Sequence, residues 1–212
     1  KMPIGSGLGS SAASTVAGLF AINTLMSDPL SRMELVPFAM KGEEMACGYG
    51  HADNVAPALL GGFVLIRSYE PLDIIKLPHP EALHTAIIFP QVDVPTRDAR
   101  QMIRSKVLLK DAVIQWGNIA GLVSGLFMKD IDLMTRSMND IIVEPVRSIL
   151  IPDFYRMREI ALENGALSFG ISGSGPSVFA FAKSDETARI INEKLQKHLS
   201  SLNITSNIYR SP

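Results

Sequence analysis

Residues 3–13 read Pro-Ile-Gly-Ser-Gly-Leu-Gly-Ser-Ser-Ala-Ala, and an apolar helical pattern follows directly. The glycines at positions 5, 7 and 9 leave the backbone without Cβ atoms, so an anion can approach its N–H groups closely. Ser10 and Ser11 stand where the helix begins, and a helix start carries unpaired N–H groups and a partial positive charge. This combination is typical of a phosphate site. The stretch therefore predicts a nucleotide phosphate site, with the serine hydroxyls near a metal ion.

This loop differs from the two common phosphate loops. No lysine follows Gly9, as a Walker A loop requires, and the glycine spacing is not that of a dinucleotide loop. A flexible turn capped by Ser10 is the alternative interpretation. The unbroken Ser-Ser-Ala-Ala entry into a helix favours the phosphate site.

The chain has 212 residues, a formal net charge of -1 and one cysteine, Cys47. This length can bury a core in one or two domains, and the balanced charge supplies no basic field for nucleic acid. A single cysteine excludes an internal disulfide and a cysteine-based zinc site, and it fits a reducing cytoplasm. No apolar stretch is long enough to span a membrane. Composition therefore predicts a cytoplasmic protein with neither a nucleic-acid nor a membrane partner.

Hydrophobic spacing predicts a mixture of helices and strands. Residues 10–26 are apolar nearly all round, which predicts a buried helix, and Ser31 with Glu34 forms the capping box of a helix over 31–45. Further helices are predicted over 106–128, 130–137, 153–164 and 184–198, and strands over 63–66, 74–77, 85–89, 168–172, 178–182 and 204–209. Residues 95–100 begin a helix or a tight turn, and Pro78 and Pro80 mark a domain boundary.

Two adjacent glutamates, Glu43 and Glu44, lie near the end of the second predicted helix. An acidic pair on a helix is usually a solvated face. One of the two carboxylates can instead hold Mg²⁺ beside a phosphate, because magnesium takes oxygen ligands and only one or two protein carboxylates. Both interpretations remain open at this point.

A polar turn is predicted over 48–54, where His51, Asp53 and Asn54 fall close together. Loops carry functional residues disproportionately, but the same residue types also cap the backbone in Asx-type turns. The apolar residues that follow favour a turn that lines a pocket.

A late glycine loop, Ser172-Gly173-Ser174-Gly175-Pro176, stands between two predicted strands. We group it with Thr96, Arg100 and Arg147. Arg147 stands in an otherwise apolar stretch, so it either pairs with Glu144 or is aimed at an anionic ligand.

Taken together, these motifs resemble those of the GHMP kinases, the superfamily of galactokinase, homoserine kinase, mevalonate kinase and phosphomevalonate kinase. Residues 3–12 reproduce the family's second motif, Pro-x-x-x-Gly-Leu-Gly-Ser-Ser-Ala, and residues 170–177 match its third. The resemblance is closest to the homoserine kinase branch. It rests there on His51-Ala-Asp-Asn-Val-Ala-Pro57 with Gly61-Gly62-Phe63, on Thr96-Arg-Asp-Ala-Arg100 and on Ile142-Val-Glu-Pro-Val-Arg147. It extends over essentially the whole chain.

The resemblance implies a two-domain α+β fold with the nucleotide between the domains. Residues 1–77 would form the C-terminal part of an ATP-binding N-domain like ribosomal protein S5 domain 2, which has a left-handed βαβ unit. Residues 78–212 would form a ferredoxin-like C-terminal domain. The family's first motif has no match here, so we expect the N-domain to be incomplete in this sequence, with its N-terminal part missing.

The same resemblance implies an enzyme that transfers the γ-phosphoryl group of ATP to the side-chain hydroxyl of L-homoserine. The product would be O-phospho-L-homoserine, on the route to threonine. ATP is the implied co-substrate and Mg²⁺ the implied cofactor, and the resemblance allows a homodimer. The metal ligands would be Ser11 and Glu43, with Glu44 as the substitute. The residues implied to bind ATP are Pro3, Gly5, Ser6, Gly7, Leu8, Gly9, Ser10, Ser11 and Ala12.

The zwitterionic acceptor sets the remaining binding assignments. Its carboxylate needs a fork of N–H donors, which Arg100 or Arg147 would supply. Its ammonium needs an acceptor, for which Asp53 is the candidate with His51 beside it. The backbone of Gly173 would close the site.

The catalytic candidates are Asp53, Asn54 and Arg100. Asp53 would take the hydroxyl proton, as an aspartate in the equivalent turn is proposed to do in mevalonate kinases. If Asp53 is committed to the ammonium instead, Asn54 would orient the hydroxyl and the proton would leave through phosphate or water. Both routes are acceptable because a loose transition state asks little of a base.

The sequence leaves two alternative functions open, another small-molecule kinase of the same superfamily and a non-catalytic sensor. Another GHMP small-molecule kinase would act on mevalonate or a sugar, but an uncharged sugar would leave two arginines and an aspartate unpaired. A mevalonate site would need a cation but no ammonium acceptor. A non-catalytic sensor on the same scaffold has no need to retain both Ser11 and Glu43.

Overall fold

The computed structural model describes residues 2–92, 102 and 105–211. These residues form two compact units, which divide between His79 and Pro80 except that the short loop Gly5–Leu8 belongs to the second unit. The helix or tight turn predicted over 95–100 lies outside the described residues.

The first unit joins helices α1 (Ser10–Leu25), α2 (Arg32–Cys47) and α3 (Ala52–Leu60) to strands β1 (Phe63–Tyr69) and β2 (Leu72–Leu77). The two strands pair as an antiparallel hairpin, at the positions where strands are predicted. The buried core of the unit consists of Ala12, Val16, Leu35, Val36, Ala39, Val55, Ala56 and Leu59. Residues of both strands pack against this core, so burial of apolar surface holds helices and hairpin together.

Helix α2 begins as its sequence predicts. Ser31 Oγ accepts a hydrogen bond from the Glu34 N–H at 3.3 Å, and Glu34 Oε2 accepts one from the Ser31 N–H at 2.8 Å. Hydrogen bonding from Ser31, through its side chain first and its backbone second, lowers the pKa of Glu34. The capping box is therefore confirmed, and it fixes the start of the helix that carries Glu43.

Helix α1 is less buried than its composition predicts. Its buried residues are Ala12, Val16 and Asn23, whereas Phe20, Ile22 and Leu25 are exposed. Packing against α2 and α3 uses one side of the helix. The prediction of burial all round is wrong, because a helix that is apolar on every face carries no periodic signal for which face is packed.

Helix α3 falls where the sequence predicts a polar turn and an apolar run. The turn covers only residues 48–51, and the helix begins at Ala52. Asp53 lies in its first turn, where the helix dipole stabilises a carboxylate. Pro57 lies inside this helix. Because proline lacks the N–H that the helical hydrogen-bond ladder needs, the sequence pattern does not indicate a helix here. The polar turn over 48–54 is thus corrected to a turn followed by a helix start.

The second unit is built on a four-stranded antiparallel sheet. Its strands are β3 (His84–Pro90), β4 (Ser168–Ile171), β5 (Val178–Ala182) and β6 (Ser206–Ser211), and their order in space is β4-β5-β3-β6. In chain order, helices separate the first strand from the second, and one helix separates the third from the fourth. This is the split β-α-β-β-α-β arrangement, which confirms the ferredoxin-like expectation.

Five helices accompany this sheet in the described part of the second unit. In its described part they are α4 (Leu109–Met128), α5 (Ile131–Ser137), α6 (Glu144–Arg147), α7 (Phe154–Glu163) and α8 (Asp185–Ser201). A 3₁₀ turn follows α6. Helices α7 and α8 pack against the strands, and a shared apolar core includes Ile88, Phe154, Met157, Phe169, Val178, Ile191, Leu195 and Leu199.

Side-chain caps start two of these helices where the sequence predicts them. Asp130 Oδ1 accepts from the Leu133 N–H at 2.9 Å, and Ser184 Oγ accepts from the Thr187 N–H at 3.1 Å. Helix α4 begins at Leu109 rather than at the predicted Lys106. Among the residues described, no helix combines the length and the apolar character that crossing a membrane requires.

We predict that Ser31→Ala lowers the free energy of unfolding by about 1 kcal/mol, because it removes the acceptor for the Glu34 N–H. Urea titration followed by circular dichroism measures this change. Ser31→Thr retains a hydroxyl that can accept from the Glu34 N–H and donate to Glu34 Oε2, so it is expected to stay close to the parent. Equal destabilisation by alanine and threonine would contradict the role of the cap.

Candidate active site

Two glycine loops meet in the second unit. Ser172 Oγ donates to the Gly7 carbonyl oxygen at 3.0 Å, and the Ser177 N–H donates to the Ser6 carbonyl oxygen at 3.1 Å. Gly7 has φ +77°, and a Cβ there would lie 2.5 Å from the carbonyl oxygens of Ser172 and Gly175. Position 7 therefore requires glycine for both its backbone conformation and its close approach.

Ser6 stabilises the early glycine loop, residues 5–9, through a hydrogen bond inside that loop. It is buried, and its Oγ accepts a hydrogen bond from the Leu8 N–H at 3.3 Å. The sequence places Ser6 among the ATP-binding residues, and the structure gives its side chain a local backbone partner. The loop is thus shaped by its own serine as well as by its glycines.

The N-terminus of α1 begins after a left-handed glycine. Gly9 is the N-cap residue, with φ +74° and ψ +37°, and no side-chain cap is present. The alternative of a turn capped by Ser10 is wrong, because Ser10 is already inside the helix. The first-turn N–H groups therefore form the kind of helix start that binds phosphate oxygens.

The two adjacent glutamates have different environments. Glu43 is buried, and its Oε1 accepts hydrogen bonds from Ser11 Oγ at 2.8 Å and from Thr15 Oγ1 at 3.2 Å. Glu44 is exposed and accepts from Lys41 Nζ at 2.6 Å. The solvated-face interpretation therefore holds for Glu44 alone. Thr15 was not predicted, although its position one helical turn after Ser11 is a signal that could have revealed it.

His51, Asp53 and Asn54 lie at the start of α3. All three are exposed; His51 is the N-cap residue, and its ring stacks on Tyr49 with centroids 5.9 Å apart. Asn54 approaches the start of α1, since a Cβ on Gly9 would lie 3.2 Å from Asn54 Oδ1. The structure thus brings Asn54 to the predicted phosphate loop.

Arg147 ends the single turn of α6 in the second unit. Its Nη1 donates to the Gly173 carbonyl oxygen at 2.8 Å, so the predicted arginine and the late glycine loop are in contact. The nearby Glu144 forms its ion pair with Arg158. Of the two alternatives for Arg147, pairing with Glu144 is therefore not favoured. Arg100, the other predicted arginine, lies with Thr96 outside the described residues.

Asp140 fixes the start of α6, although the sequence did not single it out. Its Oδ1 accepts from the N–H groups of Ile142 at 2.9 Å and Val143 at 2.8 Å, and its Oδ2 accepts from the Glu144 N–H at 3.2 Å. Three donors to one carboxylate hold the short helix in place. Asp140 therefore helps to fix the backbone that presents Arg147.

A cavity of about 250 Å³ lies beside α6 in the second unit. Polar and charged side chains contribute to its wall, among them Gln115, Asp140 and Arg147, and the rings of Phe169 and Phe179 form part of its apolar surface. Gly173 also lines it. An apolar wall with a few charged groups is typical of a small-molecule pocket.

The buried Glu144 has an altered ionisation. Burial raises its pKa above the ordinary value of 4.5, and the opposing hydrogen bond and charge of Arg158 do not cancel that effect. Because the folded-state pKa is the higher one, Glu144 contributes stability that is fully present below pH 4.5. That contribution is lost as the pH rises through the folded-state pKa.

We predict that the free energy of unfolding of the parent, relative to Glu144→Gln, falls as the pH rises above 4.5. Urea titrations at several pH values between about 3 and 7 measure this difference. Glu186, whose pKa is lowered by a hydrogen bond from Arg189, is the matched control: relative to Glu186→Gln, the parent should lose stability as the pH falls below 4.5 and show no slope above it. The same slope for both variants would contradict the assignment.

Comparison with known proteins identifies the family. The family model for the GHMP kinases N terminal domain matches residues 1–62, and that for GHMP kinases C terminal matches residues 121–201. A protein named homoserine kinase from Chlorobium phaeobacteroides is 49% identical, over 100% of this chain and 67% of its own length. One from Methanococcus maripaludis is 40% identical over 89% of this chain and 62% of its own length.

Solved structures agree with these relatives. The crystal structure of homoserine kinase from Cytophaga hutchinsonii is 55% identical with a TM-score of 0.97, and the match covers 100% of this chain and 67% of that one. A mevalonate kinase from L. major, 18% identical with a TM-score of 0.73, covers 95% of this chain and 64% of that one and shares the fold. The chain thus spans about two thirds of the length of its relatives. It belongs to the GHMP kinases, in the homoserine kinase family.

Proposed function

We propose that this chain transfers the γ-phosphoryl group of ATP to the side-chain hydroxyl of L-homoserine. The observation that carries the proposal is the pair of Ser11 and the buried Glu43 beside the start of α1, within a chain of this family. A buried carboxylate costs free energy unless it is used or well paired, and a hydroxyl beside it at a helix start suits a metal–phosphate site.

We assign ATP to the early glycine loop and the start of α1. The backbone N–H groups of residues 5–11 would hold the phosphates, with Pro3 and Ala12 at the two ends of the binding segment. Positive φ angles at Gly5, Gly7 and Gly9 support this, since they allow successive N–H groups to face an anion. Residues 1–77 would then act as the ATP-binding domain and residues 78–212 as the C-terminal domain.

We assign Mg²⁺ to Ser11 and Glu43. Their hydroxyl and carboxylate oxygens suit a hard cation that keeps water ligands and takes few protein carboxylates. The cation would supply charge neutralisation for the transferring phosphoryl group. Glu44 serves less well, because it is exposed and paired with Lys41.

The acceptor assignments rest on charge. Arg147, with Arg100, would bind the carboxylate of homoserine, because a guanidinium offers two parallel donors to a carboxylate. The contact of Arg147 with Gly173 supports a role at the same pocket wall. Asp53, with His51 beside it, would accept from the ammonium group.

In the transfer step, the hydroxyl oxygen of homoserine forms a bond to the γ-phosphorus as the bond to the bridging oxygen of ADP breaks. The hydroxyl proton passes to the Asp53 carboxylate or leaves through phosphate or water. Asn54 would orient the hydroxyl, and its position beside Gly9 supports that role. Positioning and charge stabilisation supply most of the rate in such a reaction.

A coupled assay of ADP release tests the proposed function. The purified protein is offered L-homoserine, mevalonate and galactose separately, with ATP and Mg²⁺. We expect turnover with L-homoserine alone. Turnover with another acceptor would favour a different small-molecule kinase. Nucleotide binding that is indifferent to Mg²⁺, without turnover, would favour a sensor.

Arg147→Ala is predicted to raise the KM for homoserine by about tenfold or more, because a charge-assisted hydrogen bond to the carboxylate is lost. The KM for ATP should change little. Arg156→Ala, which removes an exposed arginine paired with Glu159, is the matched control. Equal increases in both KM values would indicate that Arg147 is only structural.

A further inference from the structure

Two hydroxyl groups converge on one oxygen of Glu43. Ser11 Oγ donates to Oε1 at 2.8 Å, and Thr15 Oγ1 donates to the same oxygen at 3.2 Å. Thr15 follows Ser11 by one helical turn, so both side chains project from the same face of α1. Neither of these bonds engages Oε2.

We propose that Thr15 is a positioning residue, which orients the carboxylate of Glu43 for the cation. This rests on the proposed function, in which Glu43 binds Mg²⁺. A carboxylate held at one oxygen by two donors has little freedom to rotate about its terminal bond. Such outer hydrogen bonds orient the ligating carboxylates of metal sites in general.

Helices α1 and α2 approach each other closely where Thr15 faces Gly42. A Cβ on Gly42 would lie 2.5 Å from Thr15 Cγ2, so the glycine leaves the space that the threonine methyl group occupies. Threonine is β-branched and stiff about χ1, so its methyl and hydroxyl groups turn together. Packing the methyl beside Gly42 therefore directs the hydroxyl to Glu43.

Ser14 provides an internal comparison on the same helix. It is exposed, and its Oγ donates to the Ser10 carbonyl oxygen at 3.0 Å, which is a local bond within α1. Removing the Ser14 hydroxyl deletes a hydroxyl of the same helix without touching Glu43.

Binding of Mn²⁺ in the presence of ADP, followed by electron paramagnetic resonance, tests the proposal. Thr15→Val keeps the branched shape and removes the hydroxyl, and we expect the Kd for Mn²⁺ to rise about tenfold. Thr15→Ser keeps the hydroxyl but loses the methyl group that packs beside Gly42, so its Kd should lie between those of the parent and Thr15→Val. Ser14→Ala should remain near the parent value. Binding of ADP without metal should be unchanged in Thr15→Val, which a general disruption of the fold would not allow.

The comparison of Thr15→Ser with Thr15→Ala repeats the test with a pair that differs by the hydroxyl alone, should the valine variant fold poorly. Equal Mn²⁺ affinity in that pair would overturn the positioning role. Glu43→Gln separates the two proposals. If Glu43→Gln leaves Mn²⁺ affinity unchanged, the assigned metal site is wrong. If Glu43→Gln weakens affinity and Thr15→Val does not, only the role of Thr15 is wrong.

Discussion

A buried carboxylate between two helices is the constraint on which the first unit depends. Glu43 on α2 accepts hydrogen bonds from Ser11 and Thr15 on α1. A buried carboxylate is stable only where donors or a cation compensate for lost water, so α1 and α2 must keep the approach that Gly42 allows. The capping box that starts α2 and the left-handed Gly9 that starts α1 fix the ends of the two helices that meet at this carboxylate.

In the second unit, contacts with backbone groups hold the two glycine loops and the start of α6. Gly7 fits against the carbonyl oxygens of the late glycine loop, and Arg147 holds that loop through Gly173. Asp140 holds the backbone of α6 through three N–H groups, while Glu144 anchors the same turn to Arg158. These contacts hold the backbone on one side of the cavity beside α6.

The sequence correctly predicted helix starts and strands that depend on residues close together in the chain. The capping box of Ser31 and Glu34, the helix starts at Asp130 and Ser184, and the strands beside the late glycine loop all follow from neighbouring residues. Helix α3 was missed because Pro57 contradicts the helical pattern that packing nevertheless stabilises.

Contacts between residues distant in sequence could not be predicted in the same way. The ion pair of Glu144 with Arg158, the cavity beside α6 and the contact of Gly7 with the late loop depend on how the chain returns on itself. Glu43 could be separated from Glu44 only through the family resemblance, because burial of one and exposure of the other follow from packing. Arg100, which lies outside the described residues, remains a prediction from the sequence.

The most direct test of the account is the position of the cation. Crystals of the protein grown with Mn²⁺ and a non-hydrolysable ATP analogue would locate it by anomalous scattering. We expect a peak at coordination distance, about 2.1 Å, from Ser11 Oγ and the carboxylate of Glu43. A peak bound instead by Glu44, or one with no contact to either Ser11 or Glu43, would contradict it.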